Sequence, residues 1–159
     1  MRTTTLAVIL FTAGTLAGCG GGGDGEEAAP STEPAATAQP TVGADLTDEE
    51  LEQGIGPVKN LVLADIDPVL AAEGESQYTL LCSACHKFPE RYIGPELGTV
   101  LSRRRPEFVM NMMLNANEMM QRHPVVRELL AEYIAPMAQQ SVSPEQARAI
   151  LEYIRTQQS

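Results

Sequence analysis

The chain opens on a largely apolar stretch, Leu6 to Leu16, and then changes character abruptly. Gly20 to Ala44 is Gly, Ala, Pro, Thr and acidic residues with almost nothing to bury, so no packed element is expected there. Apolar positions return between 45 and 66. Thr47-Asp48-Glu49-Glu50 has the capping-box pattern and Gly54 can close a short helix. Ile55, Val58, Leu61, Leu63 and Ile66 follow, punctuated by Gly56-Pro57, and give more apolar surface than a free linker should show. Residues 45–66 are therefore expected to pack as a belt on the domain that follows.

From there the spacing is helical. Asp67-Pro68 predicts a helix running to about Leu81. A second, opened by Pro106 and reaching Leu114, puts Phe108, Val109, Met112 and Met113 on its apolar face. Met119 and Met120, beside Asn115 and Asn117, read as loop. Pro124 to Ile134 is amphipathic through Val126, Leu129, Leu130, Tyr133 and Ile134, with His123 before it as an exposed cap-region residue. Ser143 caps the last helix, which runs to Arg155. Pro144 is its first residue, Gln146 completes the box, and Ala147, Ile150, Leu151 and Ile154 form its inner face. Helical periods without alternating strands give an all-α class. The segments divide as 1–18, 19–44, 45–66 and 67–159.

Charge sharpens this division. The net charge of −10 sits mostly in residues 20–60, where nine carboxylates face only Lys59. Residues 61–159 carry twelve carboxylates against nine Lys and Arg, close to neutral. Residues 19–44 thus read as a solvated tether, with an end-to-end distance of about 25–30 Å as a flexible coil. No basic patch suggests nucleic acid. Aromatics are 4% of the chain and Trp is absent, so a protein-only core would be poorly supplied and a buried cofactor would add apolar bulk.

Each of the three cysteines has its own chemistry. Arg2 and the apolar stretch, too short for a bilayer, read as an export signal closing on Leu16-Ala17-Gly18-Cys19. That ending resembles the lipobox of bacterial lipoproteins, which implies cleavage before Cys19, its acylation, and a membrane-anchored protein outside the cytoplasm, periplasmic in a bacterium with two membranes.

Cys82-Ser83-Ala84-Cys85-His86 is the strongest signal. Two thiols three positions apart can add across the vinyl groups of a haem while the adjacent imidazole ligates iron, the c-type attachment pattern. One covalent haem c is expected, with Cys82, Cys85 and His86 binding it. A thioredoxin-like pair would want a βαβ surround, which is missing. A zinc site would need a further ligand, and the only other histidine is His123. For the second axial position, Met110, Met112, Met113, Met119, Met120, Met137 and His123 all stay open. Met137 stands apart, in a loop after Ala135-Pro136.

With the motif at 82–86, Gly94-Pro95-Glu96-Leu97, and Met137 shortly before a final helix, residues 67–157 resemble class I cytochromes c. The resemblance implies Met137 as distal ligand, Pro95 accepting a hydrogen bond from the His86 ring, and Leu97 beside the haem. The family often has Met-Pro, whereas here Pro136 precedes Met137 and Ala138 follows. It also implies that the terminal helices cross at Gly74 and Tyr78, with Tyr153 or Leu151 opposite. An arginine among 103–105 is a possible propionate partner. The extended form, with the helices around Phe108 and Leu129 and a packed N-terminal belt, is similar to monohaem cytochromes that feed terminal oxidases or nitrous oxide reductase. The function so implied is a one-electron carrier between a quinol-oxidising complex and a terminal oxidase or reductase, not an enzyme. A haem-based sensor or a small peroxidase-like enzyme with an open iron site is the alternative.

Overall fold

The structure, a computed structural model, describes residues 43–159. The expected signal, Cys19 and nearly all of the tether lie outside them. Among the described residues there are seven helices and no strand: α1 (Asp48–Gln53), α2 (Pro68–Leu81), α3 (Val100–Arg103), α4 (Pro106–Leu114), α5 (Ala116–Arg122), α6 (Pro124–Tyr133) and α7 (Pro144–Thr156). None is long and apolar enough to cross a membrane.

The frame is the crossing of α2 and α7. Both start sharply. The Asp67 carboxylate accepts from the Val69 and Leu70 N–H groups, and Ser143 and Gln146 form a reciprocal box, each helix having proline in its first turn. The helices touch at Gly74, where an added Cβ would lie 1.9 Å from the Ala149 carbonyl oxygen. At Gly74 itself the opposing atoms are the backbone of Ala149 and Ile150. Of the expected counterparts, Tyr153 lies one turn on and packs on Tyr78 with ring centroids 5.4 Å apart. Ile150, Leu151 and Ile154 are fully buried beneath this crossing, each contributing about 1.5–3 kcal/mol by burial.

The segment before α2 wraps along α4. One face of α4 carries Glu107, Asn111 and, just past its end, Asn115, spaced four apart so that they line up along the helix axis. This polar column meets the backbone of residues 53–61. Glu107 accepts from the Leu61 N–H at 2.8 Å, and Asn111 accepts from Val58 N–H at 2.9 Å. The Asn111 amide also donates to the Gln53 and Val58 carbonyls, and Asn115 donates to Ile55. Ile55 is buried, and Val58, Leu61 and Leu63 pack against the main core, whereas Ile66 is 44% exposed. Farther on, Glu152, fully buried on α7, accepts from the Asp67 N–H and pairs with Arg148 and Arg155. Arg155 also holds the Ala64 carbonyl at 2.7 Å.

Three expectations need correction here. Met119 and Met120 are helical, in α5: Asn115 alone breaks the chain between α4 and α5, and Asn117 continues the helix. His123 is buried, not exposed. The α1 helix closes over it, its Nε2 lies 3.1 Å from the Leu51 carbonyl, and its ring meets Phe108 edge-on at 5.1 Å. Burial holds this imidazole below its ordinary value, against the opposing pull of the Leu51 and Glu50 carbonyls. Ile134 does not extend the apolar face of α6. It caps the helix in a left-handed conformation (φ 64°) that turns its side chain outward, 83% exposed.

Candidate haem site

The attachment motif begins where α2 stops. Cys82 caps the helix, and the Cys85 and His86 N–H groups return to the Cys82 carbonyl at 3.0 and 2.9 Å, closing a tight turn. Lys87 and Ser83 side chains hold the freed carbonyls of Ser83 and Thr79. Below the turn, the Tyr78 hydroxyl donates to the His86 carbonyl at 2.8 Å. The Tyr78 ring is locked by Phe88 and Tyr153, with centroids 4.8 and 5.4 Å away. The motif thus rests on the same aromatic cluster that fills the helix crossing.

The next strand of chain clips onto the first. Gly94, Leu97 and Gly98 donate their N–H groups to the carbonyls of Cys85, Lys87 and Phe88. This brings Pro95 beside the imidazole, with His86 Nδ1 2.9 Å from the Pro95 carbonyl. A carbonyl can only accept, so Nδ1 carries the proton and Nε2 keeps its lone pair for a metal. The approach requires glycine at 94, where a Cβ would stand 2.6 Å from His86 Cε1. Leu97 is half-buried against the main core.

Cys82 is half-buried and Cys85 exposed, and both are unpaired. In the free chain burial, then the neighbouring Cys85, pushes the Cys82 thiol up to about 11. A reactive redox thiol would instead be depressed. His123, the other histidine, lies in a separate cluster with Phe108 and Leu51. Two thiols on one turn and an imidazole with a directed, unprotonated Nε2 fit a covalent haem.

The other expected residues separate clearly. Met110 and Met113 are buried in the main core, and Met112 and Met120 pack on the second cluster. Met119 is fully buried, its sulfur accepting the Ile55 N–H at 3.1 Å. Met137 is half-buried, in the loop between α6 and α7, and touches the main core. Arg103 is committed to Glu96, and Arg105 to Glu107 and Glu52. Arg104 has no carboxylate partner among the described residues, and its guanidinium lies over Phe108 at 5.6 Å. Sequence reasoning missed the Tyr78–His86 bond and the polar column of α4. The four-residue spacing of Glu107, Asn111 and Asn115 was the available signal for the second.

A helical domain built on this turn defines the class of covalent haem proteins that carry electrons. The cytochrome c family model matches residues 71–158, and the chain belongs to the cytochrome c family. It therefore holds one covalent haem c and acts as a haem-based electron carrier. A cytochrome c from Rhodothermus marinus is 50% identical with a TM-score of 0.65, over 68% of this chain and 94% of that one. An engineered form of that protein matches at 50% identity, TM-score 0.64, over 68% and 95%. The same engineered protein bound to a carbene intermediate matches at 50% identity, TM-score 0.61, over 68% and 95%. The comparison with curated proteins gives no match.

Proposed function

We propose that this cytochrome is a one-electron shuttle of a respiratory chain, its iron ligated by His86 and Met137. The observation that carries the reading is positional. Met137 is the one methionine of the described residues outside a helix, while the other five lie in α4 and α5 and pack in the two cores. The haem supplies the one-electron couple, and thioether ligation favours its reduced form and raises the potential, which suits a late respiratory step. The protein's own part is to hold His86 in one tautomer through Pro95, to bring up the Met137 sulfur, and to exclude water from the ring.

In this reading a quinol-oxidising complex is the donor and a terminal oxidase or an enzyme of the nitrous oxide reductase type the acceptor. Acyl chains on Cys19 hold the protein at a membrane outside the cytoplasm, and residues 19–44 tether it. The support is the Leu16-Ala17-Gly18-Cys19 ending and the acidic, Gly-rich composition that follows. Cys19→Ser should move the protein from the membrane fraction to the soluble one.

The ligand assignment is tested with Met137→Ala. The oxidised variant should lose the sulfur-to-iron charge-transfer band, and the reduced variant should bind carbon monoxide strongly. A persistent band overturns the assignment. Strong carbon monoxide binding by the unaltered protein would point instead to an open iron site, as in a sensor or a peroxidase-like enzyme.

A further inference from the structure

The loop between α6 and α7 packs Met137 and Val142 on the main core but makes few hydrogen bonds to the rest of the described fold. It begins at Ile134, in a left-handed conformation and 83% exposed, and Pro136 removes one donor. Among the described residues, only two hydrogen bonds tie residues 135–142 to another part of the fold, and both come from Gln139. Its Nε2 donates to the Leu114 carbonyl at 3.1 Å, and its Oε1 accepts from the Asn117 N–H at 3.3 Å. The remaining side-chain bonds, Gln139 to the Gln140 carbonyl and Gln140 to the Ala138 carbonyl, stay inside the loop.

The two partners of Gln139 are chemically special. Leu114 is the last residue of α4 and Asn117 the second of α5. The carbonyl at one helix end and the N–H at the other have no intrahelical partner. A primary amide is the side chain that can donate to one and accept from the other at once. Gln139 therefore clamps the α4–α5 junction, and it does so two positions from Met137.

We propose that Gln139 is a positioning residue for the distal ligand, its amide clamp setting the fraction of molecules in which Met137 is off the iron. The proposal rests on the reading of Met137 as distal ligand. An added ligand that competes with Met137 binds only the open form, so its apparent affinity reports that fraction directly.

The test titrates the oxidised, haem-loaded full chain with imidazole. Gln139→Leu keeps the bulk but loses both bonds, and imidazole should bind about fivefold tighter. Gln139→Glu keeps an acceptor for Asn117 but sets a carboxylate against the Leu114 carbonyl, and should also bind more tightly. A residue that merely stabilised the fold would lower Tm and leave imidazole affinity unchanged. That result, alongside a Met137→Ala variant that behaves as described above, sinks the clamp alone. A Met137→Ala protein that keeps its charge-transfer band and the unaltered imidazole affinity sinks the ligand assignment and the clamp with it.

Discussion

Around His86, three backbone hydrogen bonds join residues 85–88 to 94–98, a tyrosine hydroxyl holds the His86 carbonyl, and the Pro95 carbonyl orients the imidazole. Around Met137, one exposed amide makes the hydrogen bonds that tie the loop to other described residues, and Met137 and Val142 pack on the main core. The proximal side is over-determined: its backbone and ring geometry each fix the same histidine position. The Met137 side depends on apolar packing and one side chain. With Met137 as the proposed distal ligand, a site so divided would keep its haem while leaving that ligand easier to exchange, because stability and ligand exchange would draw on different interactions.

The largest effect that would break this contrast is expected at Gly94. Gly94→Val drives a branched side chain into the His86 ring, where even a Cβ would stand 2.6 Å from Cε1. The cost should be about 3 kcal/mol, at the upper end for over-packing, read as a fall in Tm and in haem retained per chain. A Tm loss no larger than that of Met137→Ala would mean that the two sides are equally constrained.

Asn111→Leu should come next and touch neither side. It leaves the Gln53 and Val58 carbonyls and the Val58 N–H without their partner, a cost of about 2 kcal/mol. Limited proteolysis should then trim residues 45–66 faster while the charge-transfer band is unchanged. A diminished band would show that the N-terminal belt supports the iron site.

A smaller effect is pH-dependent. Burial raises the Glu152 carboxyl, but hydrogen bonds from Arg148, the Asp67 N–H and Arg155 outweigh it and hold it below its ordinary value of 4.5. A carboxyl depressed in the folded state binds its proton more readily when unfolded. Its stabilisation is therefore present above about 4.5 and is lost as pH falls through the folded value. Thermal melts of Glu152→Gln and the unaltered protein should differ at neutral pH and converge in acid. Parallel curves across the range would refute the linkage.

The smallest effect sharpens the distal side. Ile134 is β-branched in a left-handed conformation, a strain of about 1 kcal/mol. Ile134→Asn should raise Tm by a few degrees and leave imidazole affinity unchanged if Gln139 is the clamp.

Much of the architecture was legible beforehand because it is local. Prolines and caps announce α2, α4, α6 and α7, and Thr47 announces α1. The pairing of His86 with Pro95 followed from resemblance and is present at 2.9 Å. His123 escaped because its burial is made by α1, a helix some seventy positions earlier in the chain. Met119 escaped because asparagine marks turns, and here one asparagine served as the break while the second joined the helix.

Spacing along the chain determined the attachment chemistry: two sulfurs and an imidazole within one turn can present themselves to one porphyrin whatever the rest of the molecule does. Only the tertiary structure decided which methionines are spent in packing, which arginines are taken by neighbouring carboxylates, and that a glutamine bridges two helix ends. Those outcomes depend on groups far apart in sequence meeting in space, and the free energy of such meetings is not encoded at any single position.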